Sequence, residues 1–347
     1  MPSRSVARRP LDEFRFIEQL VQQFGRTGPS VIRGIGDDAA IVRSVAGREL
    51  LVTADLLIEH VHFDFTTATF EDVGYKAAVA NLSDIAAMGG RPDYLITTTA
   101  IPSSYTQPEM LRLYRGMMGA CREYGVRLIG GDTSRSPRDV FIGIIMIGSV
   151  PTGRALTRAG ARPGDLLYVT GTLGDSLAGF ELLAVQKKAT NVTNLPDRVT
   201  RYLLRRHRRP TPWVREAQWL SRRRLASAAI DLSDGLSGDF VHLCEQSGVG
   251  AEIEAAALPI SIACRKYAEA GRLDATRLAL KGGEDYELLF TVSPRKQAAL
   301  ARAMRRAGIT CSRIGAIRRK SFGIRLRSGA HASRPLPVLS FRHFQKA

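Results

Sequence analysis

Carboxylates follow short apolar runs or glycine pairs at many points of this chain, and their chemistry suggests a function. Hard Mg²⁺ ions prefer oxygen ligands and are usually held by one or two carboxylates together with substrate phosphates. No Ser/His/Asp or Cys/His pairing supplies a nucleophile with its base. We therefore infer phosphoryl chemistry in which positioning and charge neutralisation dominate. The carboxylates in question are Asp38, Asp55, Asp84, Asp132, Asp231, Asp234 and Glu284.

Asp84 lies in the middle of KAAVANLSDIAAMGG, a small and apolar stretch that begins at Lys76. Its alanines predict a helix that packs closely against its neighbours. Asn81, three residues earlier, shares the helix face of Asp84. An inward-facing carboxylate needs a hydrogen-bond network, a base or a metal ion. The alternative is that Asp84 bonds only to neighbouring backbone in a bent helix.

Two further acidic motifs occur in the first quarter of the chain. Gly34 and Gly36 precede the adjacent acids Asp37 and Asp38, which a polar turn would also explain. In the strand-like LLVTADLL, alternation places Thr53 and Asp55 on one face, where the pair can share an ion.

The same design recurs later in the chain. The strand VRLIG, which looks buried, breaks at Gly130 and Gly131 and presents Asp132 where the backbone can approach a phosphate. A short apolar strand also precedes Asp231 and Asp234, and a simple helix cap would hardly use two acids.

Glycines mark two other candidate sites. Gly174, Asp175 and Ser176 open a predicted helix whose N-terminus should hold an anion. The pair GG at 282–283 precedes Glu284 and leads into a core strand.

Two familiar signatures are rejected. GSVPTGR has the glycine spacing of a phosphate-binding P-loop but carries Arg154-Ala155 in place of Lys-Ser/Thr. Glu59, His60 and His62 have neither a cysteine nor a third histidine beside them to support zinc. Arg154 and Arg158, which follow soon after, could instead reach the phosphates of a nucleotide.

The elements that must position these residues divide into two α/β halves. The chain has 347 residues and 44% hydrophobic content, which favours two domains over one. We expect a boundary in PTGRALTRAGARPGD, with domains 1–150 and 151–347. Apolar residues recur at helical spacing from Phe14 to Phe24, which predicts an amphipathic helix that ends at Gly25.

Location and redox state follow from what the sequence contains. No run reaches the roughly 18 apolar residues of a membrane span, and the first residues lack a secretory core, so we expect a cytoplasmic protein without membrane contact. The four cysteines are far apart and form no CxxC pair, which predicts reduced core thiols.

A net charge of +17 suggests nucleic-acid binding as another class of function. Arginines crowd 201–224 and the tail from Arg318 on, but no nucleic-acid-binding motif accompanies them. Solvated helix faces explain most of this charge. A positive field would also draw anionic small molecules toward acidic, metal-filled sites.

Seven motifs in this order resemble those of bacterial thiamine-monophosphate kinases: GIGDDAAIV, VTADLLIEHVHF, NLSDIAAMG, LIGGDTSR, GRALTRAGARPGD, AIDLSDGL and GGEDYEL, with FRHF near the C-terminus. The resemblance implies the two-domain, mixed α/β fold of aminoimidazole-ribonucleotide synthetase, with N-terminal domains pairing into a dimeric β-barrel. It also implies direct transfer of the ATP γ-phosphoryl group to thiamine monophosphate, the last step of thiamine diphosphate biosynthesis, with several Mg²⁺ ions and no phosphoenzyme.

The resemblance also assigns residues. Metal ligands would be Asp38, Thr53, Asp55, Asp84, Asp132, Asp231 and Asp234, and catalysis would run through Asp84, Asp132 and Asp231 without a side-chain nucleophile. ATP contacts would be Tyr114, Gly131, Asp132, Arg158 and Ser233, and acceptor contacts His62, Glu284 and Phe341. Ala54 is a departure, since relatives often carry Thr or Asn there, so a ligand at this position would have to be backbone.

Three alternatives remain open at this point. Another ATP-dependent enzyme of the same superfamily would share the acidic motifs but should differ at GGEDYEL. A basic nucleic-acid-binding protein is suggested by charge alone, and a catalytically dead dimeric scaffold is disfavoured because the metal-binding acids are all present.

Overall fold

A computed structural model describes residues 31–33, 37–43, 47–187, 195–329 and 332–341. The predicted helix from Phe14 to Phe24 and the glycines Gly34 and Gly36 lie outside these ranges. The described chain forms two mixed α/β halves, each built on one sheet, which confirms the predicted fold class.

The N-terminal half is a six-stranded sheet covered by two helices. Its strands run in the order β1-β2-β3-β6-β4-β5, and every pair is antiparallel except β4 with β5. The elements are β1 (Val31–Arg33), β2 (Ala40–Arg43), β3 (Arg48–Ile58), α1 (Phe70–Ala87), β4 (Arg91–Pro102), α2 (Gln107–Glu123), β5 (Arg127–Ser136) and β6 (Phe141–Pro151).

The sequence predicted that β5 is buried and breaks at two glycines. Both parts of this prediction were wrong. The strand continues through Gly130 and Gly131, with a shift in its register with β4, and every residue before Ser136 is exposed. The reason is topological, because β5 is an edge strand with one neighbour and its outer side is open.

The C-terminal half is a seven-stranded sheet in the order β13-β12-β9-β11-β7-β10-β8. Strands β7 and β10 are buried throughout, as their continuous apolar sequences require. The elements are β7 (Leu166–Thr170), α3 (Asp175–Lys187), α4 (Asp197–Arg208), α5 (Val214–Arg222), β8 (Ala226–Asp231), α6 (Leu236–Ser247), β9 (Gly250–Glu254), α7 (Ile262–Ala270), α8 (Ala275–Lys281), β10 (Leu288–Val292), α9 (Gln297–Ala307), β11 (Cys311–Arg318), β12 (Ile324–Ser328) and β13 (Ala332–Pro335).

Helix α1 joins the two halves. It packs on β3 and α2 of its own half and also contacts α4, α5 and β8 of the other. Alanine and other small side chains make such contacts on several faces possible, and most of its residues are buried. The predicted close packing of the Asp84 helix is therefore observed.

The cysteines are as expected. All four are unpaired, with Cys121, Cys244 and Cys264 buried and Cys311 partly buried. Among the described residues, no helix has the length and apolar character needed to span a bilayer.

The contact between α1 and α2 generates a stability prediction. A Cβ added at Gly116 would lie 1.9 Å from the carbonyl oxygen of Glu71 on α1, whereas one at Gly119, on the same helix, would meet nothing within 4 Å. We expect Gly116→Ala to lower the free energy of unfolding by about 1–3 kcal/mol or more through overpacking. Gly119→Ala should raise it by up to about 1 kcal/mol through helix propensity.

Urea denaturation of both variants measures the difference. Equal effects of the two substitutions would contradict the close approach of the helices at Gly116.

Candidate functional site

Three carboxylates from different elements meet in the cleft between the halves. Asp38 precedes β2, Asp84 lies in the last turn of α1, and Asp231 ends β8. An oxygen of each lies within 4.8 Å of the others. Within the described ranges, this is the one group of three or more His, Cys, Asp or Glu side chains close enough to share an ion. We call these residues the aspartate cluster.

Hydrogen bonds fix the orientation of each member of the cluster. The Thr53 hydroxyl donates to Asp84, and the Ser83 hydroxyl donates to Asp231 at 2.6 Å. The Arg158 guanidinium donates to both oxygens of Asp38, at 2.6 and 3.2 Å. Thr53 was a predicted ligand, and its bond to Asp84 follows from the alternation of β3.

Electrostatics oppose this gathering of negative charge. Burial raises the pKa of Asp84 well above its ordinary value, and repulsion from Asp55, Asp231 and Asp38 raises it further. Burial and then Asp38 raise the pKa of Asp231 in the same direction. The pKa of Asp55 rises to about 6 through burial and the nearby Asp234. The site therefore has more negative charge than Arg158 alone compensates.

The donor set fits Mg²⁺. Carboxylate oxygens and a hydroxyl are the ligands that hard cations prefer, and no sulfur or imidazole belongs to the cluster. One oxygen of Asp55 is buried without a hydrogen-bond partner in the described chain, which is costly unless a cation completes it. Asp38, Asp55, Asp84 and Asp231 are the residues that would hold such ions.

Asp239 is a buried acid next to the Asp234 loop that was not picked out from the sequence. It lies in the first turn of α6, is buried, and accepts backbone N–H groups of Asp234 and Gly235 at 3.2 and 3.0 Å. Burial, followed by repulsion from Asp234 and Asp231, raises its pKa well above the ordinary value. The sequence did contain a signal for Asp239, because an acid soon after the motif DLSDG falls in the first turn of the next helix.

The C-terminal tail reaches the same loop. The backbone N–H of Phe341 donates to the carbonyl of Asp234 at 3.1 Å, and that of Leu339 donates to the hydroxyl of Ser237 at 2.9 Å. The Phe341 side chain is 50% exposed. The predicted acceptor contact at Phe341 thus lies beside the Asp234 motif.

The other residues predicted to bind ATP are divided between two places. Tyr114 bonds through its hydroxyl to that of Thr97 at 3.1 Å, and Thr97 pairs in register with Gly131. A Cβ at Gly131 would lie 2.3 Å from the Thr97 carbonyl oxygen, so this position requires glycine. Asp132 is exposed on β5 and is not part of the aspartate cluster. Arg158 and Ser233, by contrast, lie in loops at the central cleft.

A second charged group surrounds Glu284. Lys76 Nζ donates to Glu284 Oε2 at 2.9 Å and lies 3.3 Å from His207 Nε2. Because an ammonium group can only donate, Nε2 accepts, and the neutral ring carries its proton on Nδ1, which is 3.1 Å from Ser176 Oγ. Burial and Lys76 lower the pKa of His207 to about 3. Burial raises the pKa of Glu284, but Lys76, His207 and His62 together outweigh it, and the net shift of the pKa is downward.

A cavity of about 280 Å³ lies next to this group, between the β3–α1 connection and helices α3 and α4. His62, Phe63, Phe180, Lys76 and His207 all line it. The His62 ring accepts the backbone N–H of Ile58 at 3.0 Å through Nδ1. The cavity thus offers aromatic surface beside the partly buried ion pair of Lys76 and Glu284. Lys76 and His207 had not been singled out from the sequence.

The predicted anion site at the start of α3 is wrong. The N–H groups of Gly174 and Ser176 donate to the carboxylate of Asp285 at 2.6 and 2.9 Å. The chain therefore supplies its own anion at this helix N-terminus, and Asp285 anchors the segment that carries Glu284.

The arginine-rich segment is also less solvated than the sequence suggested. Arg206 is partly buried and donates to Glu287 at 2.6 Å, and Arg209 donates to Asp72 at 2.7 Å. Glu59, set aside as a zinc ligand, accepts the N–H of Val140 at 2.9 Å and the hydroxyl of Tyr105.

Comparison with known proteins gives consistent matches. Residues 36–150 match the N-terminal domain of AIR synthase related protein, and residues 162–326 match its C-terminal domain. The chain is 41% identical to the thiamine-monophosphate kinase of Salmonella typhimurium over 87% of this chain and 89% of that one. It is 34% identical to that of Bacillus subtilis over 96% and 100%.

A solved structure of AaThiL complexed with AMPPCP and TMP superposes with a TM-score of 0.84 at 31% identity. That comparison covers 98% of this chain and 100% of the other.

The repulsion in the aspartate cluster predicts an unusual substitution effect. In EDTA, Asp84→Asn should raise the free energy of unfolding by on the order of 1 kcal/mol, because it removes charge from a buried like-charged group. Added Mg²⁺ should stabilise the wild type and have little effect on the variant.

The matched control is Asp165→Asn, which makes the same charge change at a buried acid that accepts the backbone N–H of Arg162 and the hydroxyl of Ser227. This control should lose stability and keep its Mg²⁺ response. Thermal denaturation with and without Mg²⁺ measures both, and destabilisation by Asp84→Asn in EDTA would contradict the electrostatic argument.

Proposed function

The chain belongs to the thiamine-monophosphate kinase family of AIR synthase related proteins, and we propose that it transfers the γ-phosphoryl group of ATP to thiamine monophosphate, forming thiamine diphosphate and ADP. The observation that carries this proposal is the aspartate cluster, whose three carboxylates come from separate elements and share one cleft. The resemblance to a kinase over nearly the whole chain supports it.

The acceptor explains why no general base is needed. A phosphate monoester has a second pKa near roughly 6 and is already a nucleophilic dianion at neutral pH. The barrier is repulsion between two anions, and bound Mg²⁺ would supply the charge neutralisation that lets them approach. The chain contributes position: Thr53 and Ser83 hold Asp84 and Asp231, and Arg158 lies against Asp38.

Metal binding would use a larger set of oxygen ligands than the cluster alone. The raised pKa of Asp55 and its electrostatic contact with Asp234 support their inclusion. We propose as ligands Asp38, Thr53, Asp55, Asp84, Asp132, Asp231 and Asp234, with catalysis acting through Asp84, Asp132 and Asp231.

For ATP, we propose contacts from two sides of the cleft. Arg158 carries a guanidinium that suits phosphate oxygens, and Ser233 lies between Asp231 and Asp234. Gly131 and Asp132 lie on β5, and Tyr114 of α2 reaches the neighbouring strand β4 through Thr97, which pairs with Gly131.

For the acceptor, we propose that its rings occupy the cavity beside His62 and Glu284. Thiamine monophosphate joins a cationic thiazolium and an aminopyrimidine to a phosphate, so its two ends need different surroundings. The aromatic walls at Phe63 and Phe180 suit the rings, and Lys76 keeps Glu284 ionised. Phe341 would contribute from the tail.

A homodimer formed through the N-terminal sheet is also part of this proposal. The edge strand β5 exposes Leu128 and Ile129, and β3 of the same sheet exposes Leu56 at 55%. Unpaired strand edges with apolar side chains are commonly covered by a partner. A cytoplasmic location fits ATP as donor, and cell fractionation would test it.

The decisive experiment is a coupled assay with ATP, thiamine monophosphate and Mg²⁺. Wild-type protein should form ADP and thiamine diphosphate in equal amounts, and Asp84→Asn should reduce kcat by at least about 100-fold while remaining folded. ADP formation independent of thiamine monophosphate, or unchanged activity of Asp84→Asn, would refute the proposal.

Recognition of the acceptor predicts a selective effect at Phe341. Phe341→Ala should raise KM for thiamine monophosphate by on the order of tenfold, about 1.4 kcal/mol, with KM for ATP nearly unchanged. The control is Phe322→Ala, another exposed phenylalanine, which should change neither value. Equal losses for both substrates with a lowered melting temperature would show that Phe341 only anchors the tail.

The proposed dimer predicts a change in mass. Ile129→Arg places a charge on the exposed edge strand and should convert the dimer to monomer at micromolar concentration. Ile262→Arg is the control, because Ile262 is 76% exposed on α7 of the other half. Light scattering measures both, and a monomeric wild type would contradict the proposal.

A further inference from the structure

A second cavity, of about 310 Å³, lies between α5 and α9, away from the aspartate cluster. Its lining carries three arginines, Arg223, Arg302 and Arg306, together with Trp219. The Arg223 guanidinium lies 4.9 Å from the centre of the Trp219 ring, a cation–π contact that holds it over the indole. We call this the arginine pocket.

The charge of this pocket has no internal counterpart. Over the part of the chain that the structure describes, none of the three guanidinium groups forms an ion pair. The sequence from Leu288 to Ala347, which includes α9, contains neither Asp nor Glu. Glu216, the one acid of α5, interacts instead with Arg215 and Glu123.

The spacing of residues along α9 adds to the excess of positive charge in the arginine pocket. Arg302 and Arg306 are four residues apart on α9 and share a face, which costs a few tenths of a kcal/mol for like charges. Ala299 and Ala303, with the same spacing, line the cavity with small side chains and leave space between the helices. Three cations therefore border an open volume in which an anion would relieve their repulsion.

We propose that the arginine pocket binds the diphosphate group of a small molecule. Guanidinium groups match phosphate oxygens by paired N–H donors, and three of them suit a polyanion better than a single carboxylate. A nucleic-acid strand is disfavoured, because such strands stack bases on open aromatic faces and Arg223 already covers one face of Trp219. Free diphosphate and the diphosphate of a nucleotide or thiamine ester share this chemistry.

Trp219 provides a reporter, because the chain has two tryptophans and only this one lines the pocket. Full-length protein is titrated with inorganic diphosphate in 150 mM KCl with EDTA, which keeps metal ions from recruiting the ligand to the aspartate cluster. Intrinsic fluorescence gives the Kd, and Trp219→Phe should abolish the signal. Parallel titrations with ADP, thiamine diphosphate and AMP distinguish the sources of the diphosphate group.

The test variant is Arg302→Gln/Arg306→Gln. The control is Arg305→Gln, which removes one charge from an arginine that is exposed like Arg302 and Arg306 and lies on the same helix outside the pocket. We expect Kd to rise at least tenfold in the double variant and to stay within twofold in the control. Melting temperature and kcat without added diphosphate should be unchanged in both.

Three results would overturn the proposal. The first is an unchanged Kd in the double variant. The second is an equal loss of diphosphate affinity in Arg305→Gln, which would indicate that general positive charge causes the binding. The third is binding of a 20-nucleotide RNA that depends on Arg302 and Arg306 while diphosphate binding does not.

Discussion

The repulsion among Asp38, Asp84 and Asp231 is the constraint on which the rest of the structure depends. Asp38 and Asp231 are buried, Asp84 is partly buried, and carboxylate oxygens of the three lie within 4.8 Å of one another, so each raises the cost of ionising the others. A chain free to relax would separate them. They stay together because Asp38 lies next to β2, Asp84 lies in α1 and Asp231 ends β8. The cluster therefore forms only when the two halves of the protein dock. Docking brings like charges together, and a bound cation would lower the free energy of that repulsion.

Helix α1 makes this docking possible. Its small residues allow contact with α2, α5 and β8 at once, so Asp84 is held between two cores. Arg158 donates to Asp38 and supplies positive charge at the edge of the aspartate cluster. Asp38 and Arg158 are the residues proposed above for Mg²⁺ and for the phosphates of ATP, so the two proposed roles meet at one ion pair.

The sequence predicted the fold class and the clustered acids because those signals are local. Alternation along β3 placed Thr53 beside Asp55, and the apolar stretch around Asp84 marked a buried helix. Contacts between distant segments left no such signal: Lys76 meets His207 and Glu284 across 131 and 208 residues. Asp285 likewise reaches back to the start of α3, where a free anion site had been predicted. The exposure of β5 depends on strand order, which apolar content along one segment does not encode.

One consequence follows from the position of Lys76 and Asp84 on the same helix. Lys76 borders the aromatic cavity and Asp84 belongs to the aspartate cluster, and eight residues of α-helix separate them by about 12 Å along the axis. Helix α1 therefore fixes the distance between the cavity proposed for the rings of the acceptor and the aspartate cluster proposed for its phosphate. Inserting or deleting one residue between them would change that length by about 1.5 Å and rotate one end by about 100°. Such changes would alter which acceptor fits while leaving both sites chemically intact.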